Sequence, residues 1–180
     1  PDPDLFVSNP ERGKAFNEAN PNTLTHQQYF ASTAPCQSYT TERYHSGHAY
    51  GFDGAQTVVG RLVMEPEQGR HGLSEAEMAS TPDDFLANAL AASLAARPAR
   101  WTLKIIVAND ADETGDPTEP WHGAHDEIVL GTIEITDLAP EDPHEVFAPV
   151  AMPKGVHAPQ DSVFRLRSAA NAVSYARRQS

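Results

Sequence analysis

Arg167, Asn171 and Tyr175 recur at intervals of four residues near the end of this 180-residue chain. In a helix that spacing stacks a guanidinium, a carboxamide and a phenol on one face. A guanidinium there is suited to a carboxylate-bearing ligand or to electrostatic stabilisation of developing negative charge. The carboxamide is neutral and a poor metal ligand. Asp161 lies six residues before Arg167, and His48 supplies a side chain able to move protons. Read alone, an Asp–Arg pair is a structural ion pair, an Asn in a helix is solvated or hydrogen-bonded, and Tyr175 also suits packing.

Other chemistry-bearing runs carry less. Asp110-Ala-Asp112-Glu-Thr114-Gly115 starts like a calcium loop, but Pro117 interrupts it and the twelfth position is Trp121 rather than Glu. His122 and His125 could offer nitrogen donors to zinc, yet they sit in a polar, Gly-containing stretch that reads as a solvated loop. His45 and His48, three apart in a predicted strand, point to opposite faces. Cys36 lacks the surroundings of a nucleophile and has no intrachain partner. A single cysteine fits a reducing cytoplasm, the expected location, with export left open because the chain begins with Pro1.

The elements that must position these groups follow from punctuation and period. Asn9-Pro10 starts a short helix, and a second follows Thr23. Ser46–Phe52 and Thr57–Met64 flank Asp53-Gly54 as a hairpin. Ser74 and Glu77 form a capping box. Pro82–Ala96 is helical, capped by Thr81, with Phe85, Leu86, Ala89, Leu90 and Leu94 recurring at helical spacing. Trp101–Asn109 reads as a buried strand and Ile128–Thr136 as an alternating one. Residues 137–160, which hold five prolines, read as an extended crossing segment, and Phe164–Arg177 as the last helix. About four strands with an open edge invite pairing with another segment or chain. A net charge of −12 disfavours nucleic acid and anionic membranes, and no apolar run nears the roughly 20 residues of a membrane span.

Five stretches, in order, resemble the small catalase-related peroxidases of the catalase superfamily. Tyr44-His-Ser-Gly-His48-Ala-Tyr-Gly-Phe52 is similar to the strand carrying a His that supports the proximal side of the haem. Asp116-Pro-Thr-Glu-Pro-Trp121 is similar to an Asp-Pro-Thr-x-x-Trp loop, and Leu130-Gly-Thr-Ile-Glu-Ile135 to the strand after it. Phe147-Ala-Pro through Asp161 resembles the wrapping segment that leads into the haem helix, and Asp161–Arg178 resembles that helix itself. The resemblance implies an α+β fold: part of an antiparallel catalase-like barrel, about half of it, with flanking helices and a C-terminal helix. It implies one domain over residues 1–180 without the family's N-terminal strands.

The resemblance also assigns roles. In the family an Arg one turn before the iron-ligating Tyr favours its phenolate form, and a His and an Asp hold that Arg. His48, Arg167 and Asp161 match those supporting positions and are the candidate catalytic set. Arg167, Asn171 and Tyr175 are the candidate haem-binding set, with Asn171 in the place of the ligand Tyr. The family's distal His and Asn lie upstream of the matched region. The first expectation is therefore a peroxide-dependent haem oxidoreductase, degenerate at position 171. The alternatives are a haem-free catalase-fold protein that binds or transforms a small apolar ligand bearing a carboxylate, and a subunit that completes a barrel with a second chain. The expected partners are peroxide or a small organic ligand, and either a second copy of the chain or a barrel-completing partner.

Overall fold

The computed structural model describes residues 9–140, 144, 148 and 150–179. The chain divides into two compact units, Pro1–Pro35 and Cys36–Ser180. In the first, helices α1 (Pro10–Ala19) and α2 (Pro21–Ser32) both begin on a proline. Proline suits a first helical position because its fixed φ is helical and its missing N–H is not needed there. Asn9 caps α1 by accepting the Arg12 amide at 3.2 Å. Pro21 also explains why α2 starts before the expected Thr23. Asn17 donates to Gln27 at 3.1 Å, joining the two helices.

The second unit is a half-barrel sheet with its own helices. Its strands are β1 (Tyr44–His45), β2 (Tyr50–Phe52), β3 (Val58–Pro66), β4 (Ala99–Val107), β5 (Glu127–Ile135) and β6 (Val156–His157). The order is β5-β4-β3-β2-β6, with β1 also beside β3, and every pairing is antiparallel. Helices α3 (Glu75–Ser80) and α4 (Phe85–Ala96) lie between β3 and β4, and α5 (Ser162–Arg178) ends the unit. The fold class is the expected α+β one.

Two boundaries differ from the sequence expectation. Ser46–Phe52 is not one strand. His45 pairs with Val63 and Tyr50 with Gly60, so residues 46–49 oppose only Arg61 and Leu62. The Ser46 hydroxyl closes this bulge: it accepts the Leu62 amide at 2.9 Å and donates to the His48 carbonyl at 2.8 Å. The helix expected from Pro82 starts at Phe85, after a turn in which the Phe85 amide reaches the Pro82 carbonyl at 3.2 Å. Thr81 ends α3 instead of capping α4, its hydroxyl donating to the Glu77 carbonyl at 2.7 Å. The Ser74–Glu77 capping box forms as expected.

The core lies where α4 meets the sheet. Leu94, Ala99 and Trp101 are buried together, with Tyr44, Met64 and Leu90 packed around them. The Trp101 indole donates to the Glu42 carbonyl at 3.1 Å, so its one polar atom is satisfied. Gly60 is required by close approach: a Cβ there would meet the Ile105 side chain and come within 2.6 Å of the Ile106 carbonyl oxygen. Part of the expected crossing segment, including Phe147, lies outside the described residues. Within the rest, β6 pairs with β2, and Gly155 at φ +85° turns the chain into it while its carbonyl accepts the Asp53 amide at 2.8 Å. Among the described residues no helix is long and apolar enough to cross a membrane.

Candidate functional site

β6 ends four residues before Asp161, and its pairing to β2 delivers the chain to the bulge that carries His48. The two side chains meet: His48 Nδ1 is 2.8 Å from Asp161 Oδ2. Both are buried, at 8% and 2% exposure. Asp161 is also the N-cap of α5, and its Oδ1 accepts the Phe164 amide at 2.6 Å. A carboxylate at a helix N-terminus satisfies a donor that would otherwise have no partner and complements the helix dipole. One carboxylate thus starts the helix and fixes the imidazole. Phe164, 2% exposed, turns its ring edge-on to His48 at 5.3 Å and to Tyr50 at 6.0 Å, closing the apolar side of the pair.

The bulge gives the two histidines different fates, but not the alternation expected of one strand. His45 is an exposed residue of β1, whereas His48 lies in the irregular segment and turns inward. Sequence periodicity misses this. The signal that could have found it is the Ser46-Gly47 step before His48, a hydroxyl and a glycine suited to a break in a ladder.

Arg167 stands outside the His48–Asp161 pair. It is exposed, and among the described residues it makes no hydrogen bond or ion pair. Its charge acts on Tyr50. Burial pushes the Tyr50 phenol up, the Arg167 guanidinium draws it partly back, and the Asp161 charge adds to the rise. Asn171 and Tyr175 follow at one-turn spacing on α5, both half-buried. They share the helix side of Phe164 and of Ser168, whose buried hydroxyl finds no partner among the described residues. Arg178 lies over the Tyr175 ring at 5.8 Å and donates to Ser174 at 3.0 Å. Where the family resemblance calls for a phenolate, the donor is therefore a neutral carboxamide. The residues present do not fit an iron ligand at position 171.

A second cluster, unforeseen from the sequence, organises the connection between β4 and β5. The Arg61 guanidinium lies 4.2 Å from the Trp121 ring centre and donates to the Glu119 carbonyl at 2.9 Å. Trp121 stacks on His125 at 5.8 Å and donates to the Glu113 carbonyl at 2.8 Å. His125 Nε2 meets Asp112 Oδ2 at 2.9 Å, and the Asn109 amide donates to the same oxygen at 2.7 Å. Asp116 accepts the Thr118 amide and hydroxyl at 2.8 and 2.7 Å, so Asp-Pro-Thr is a side-chain-stabilised turn. Asp112 and His125 are thus engaged with each other. Among the described residues no group of three or more metal-binding side chains occurs.

No family model matches the chain. It is 28% identical over 184 residues to a catalase-related peroxidase of Synechococcus elongatus, a match covering 99% of this chain and 54% of that protein. It is 31% identical over 144 residues to a catalase-related peroxidase of Mycolicibacterium paratuberculosis, covering 76% of this chain and 45% of that one. The chain therefore spans about half the length of the curated relatives it matches. Among solved structures, a bacterial catalase superposes with a TM-score of 0.75 at 16% identity over 92% of this chain and 36% of its own. Catalase A of Saccharomyces cerevisiae superposes with a TM-score of 0.66 at 19% identity, over 78% of this chain and 32% of its own. Ordered sequence matches to catalase-related peroxidases and a half-barrel shared with catalases make this chain a relative within the catalase superfamily.

Proposed function

We propose that the chain is the helix-bearing half of a catalase-fold barrel that does not ligate iron through position 171 and uses the α5 face to bind a small apolar ligand bearing a carboxylate. The observation that supports this most directly is Arg167: an exposed guanidinium without a hydrogen bond or ion pair among the described residues, one turn before a neutral Asn171. A guanidinium pairs with a carboxylate through two parallel hydrogen bonds. The His48–Asp161 pair at the N-terminus of α5 holds the helix that presents it.

Peroxide-dependent oxidoreductase activity, which the relatives' names carry, is the second reading. It is favoured by the retained His48–Asp161 pair, the supporting set that the family resemblance assigns to the haem helix. Haem would bring the redox chemistry if bound, but Asn171 cannot supply the phenolate. The residues of this chain then contribute the brace of the helix and the cation at Arg167 without the ligand.

Absorbance titration with haemin and calorimetry with dodecanoate separate the readings. The expected outcome is no phenolate-type haem spectrum in the unaltered chain, a gain of one in Asn171→Tyr, and dodecanoate binding weakened roughly tenfold or more in Arg167→Ala. A chain that takes up haem and turns over hydrogen peroxide without substitution overturns the first reading in favour of the second. Dodecanoate binding that is absent, or indifferent to Arg167→Ala, removes the carboxylate site.

A further inference from the structure

The turn after β3 and the entry to β4 form a cleft of about 520 Å³, lined by Glu67, Gln68, Arg97, Pro98 and Arg100. That is within the roughly 300–1,000 Å³ of small-molecule sites. Its walls are held by main-chain bonds. Pro66, the last residue of β3, pairs with Trp101, and the Glu67 amide donates to the Arg100 carbonyl at 3.0 Å. The Gly69 amide reaches back to the Pro66 carbonyl at 3.0 Å, in a turn that needs the φ of +79° at Gly69. On the other wall the Arg97 amide ends α4 on the Ser93 carbonyl at 3.1 Å, and Pro98 stiffens the step into β4. Ala99 and Trp101 are buried at 1% and 2%, so Arg100 between them faces outward. Both β3 and β4 are interior strands, and the cleft is lined by neither edge of the sheet.

The charges of this cleft decide what it suits. Arg97 Nη2 donates to Gln68 Oε1 at 2.6 Å, and Arg100 Nε meets the Glu134 carboxylate. Arg97 also ends a helix, where a cation complements the dipole. These are structural bonds, but neither exhausts a guanidinium, which carries donors on all its nitrogens. Among the described residues each arginine side chain makes only that one hydrogen bond. The exposed Glu67 carboxylate makes none among them. With Glu134 included, two cations meet two anions, in a chain of net charge −12. Both carboxylates and the field of the chain oppose a dianion such as phosphate. A ligand carrying both signs is complementary: its carboxylate pairs with guanidinium and its ammonium with Glu67. We propose that this cleft binds a free α-amino acid, its carboxylate on Arg97 and Arg100, its ammonium on Glu67, and its side chain against Pro98. The site is separate from Arg167 and independent of what α5 binds.

Calorimetry of the unaltered chain with L-norleucine, with hexanoate, which lacks the amine, and with pentylamine, which lacks the carboxylate, is the test. Norleucine is expected to bind in the millimolar range or tighter, and both analogues roughly tenfold or more weakly. Arg97→Ala and Arg100→Ala are each expected to weaken norleucine roughly tenfold, and Glu67→Gln to weaken norleucine without weakening hexanoate. All three side chains are exposed, and circular dichroism establishes that the variants stay folded. Arg167→Ala is expected to leave norleucine binding unchanged, so this site and the α5 site fail separately. No norleucine binding up to about 10 mM overturns the proposal, as does binding indifferent to all three substitutions in the cleft. Hexanoate that binds as tightly as norleucine overturns it in favour of a plain carboxylate site. Inorganic phosphate that binds more tightly than norleucine overturns it in favour of a phosphate site.

Discussion

Asp161 holds His48 across 113 residues of chain, Oδ2 to Nδ1 at 2.8 Å, while its other oxygen caps α5. Removing either side chain therefore has different consequences. Asp161→Ala loses the cap and leaves the buried imidazole without its acceptor, and is expected to cost about 2–4 kcal/mol. His48→Ala leaves a buried carboxylate with only the Phe164 amide, at a cost of about 3 kcal/mol. Asp161→Asn keeps a carbonyl oxygen for the cap and is expected to lose clearly less than Asp161→Ala. Urea unfolding of the three variants checks the order. Equal losses in Asp161→Asn and Asp161→Ala would show that the cap contributes nothing.

Tyr50 reports on Arg167. Burial raises the Tyr50 phenol and the guanidinium opposes that rise. In Arg167→Ala the opposing charge is gone, so the phenol is expected to ionise at still higher pH, while Arg167→Lys largely retains the unaltered behaviour. Ultraviolet titration, with Tyr50→Phe subtracted to isolate the residue, measures the shift. An unchanged Tyr50 titration in Arg167→Ala would place Arg167 too far away to act on Tyr50, and with it the proposed ligand.

Much of this arrangement was legible because it is local. Asn9-Pro10, the Ser74–Glu77 box and the Asp-Pro-Thr turn each satisfy their own backbone within a few residues, so the sequence displays them. The family resemblance gathers His48 and Asp161 at one site, but as holders of Arg167 rather than as a pair with each other; the cap that Asp161 makes could have been read from its place before the last helix. The bulge at 46–49 lies outside any period-two pattern, because a hydroxyl replaces a ladder bond there. The placement of Arg167 outside the pair, and of Arg61 over Trp121, depends on how distant strands and loops converge. Strand β5 is the sharpest lesson. Its alternation reads as one face buried, but it lies at a sheet edge with nearly every residue exposed.

Two glycines make a matched pair of tests. A Cβ at Gly60 would meet the Ile106 carbonyl oxygen at 2.6 Å, and backbone cannot yield as a side chain tip does. Gly60→Ala is expected to destabilise by about 1–3 kcal/mol. Gly47, in the bulge, has nothing within 4 Å of its would-be Cβ and no positive φ. Gly47→Ala is expected to be neutral or to stabilise by up to about 1 kcal/mol, because it restricts the unfolded chain. Thermal unfolding of both variants checks the contrast. A benign Gly60→Ala would mean that β3 and β4 can separate locally without loss.

The Asp112 cluster predicts how stability depends on acid. Burial pushes the Asp112 carboxyl up, but the Asn109 amide, His125 and Arg61 together hold it below the ordinary aspartate range. A carboxylate depressed in the folded state contributes stability that is fully present above its unfolded value, near 4. That contribution is lost as pH falls through the lower folded value. Asp112→Asn should therefore be less stable than the unaltered chain at pH 6, and the gap should close as the pH is brought down through 4 and below. The Arg61–Trp121 stack should loosen with it, because the Asn109 amide and His125 then share an uncharged acceptor in place of a carboxylate. Urea unfolding across this pH range, followed by tryptophan fluorescence, measures both effects. A gap that stays constant down to pH 3 would mean that Asp112 is held by packing alone and that its charge does not secure the loop.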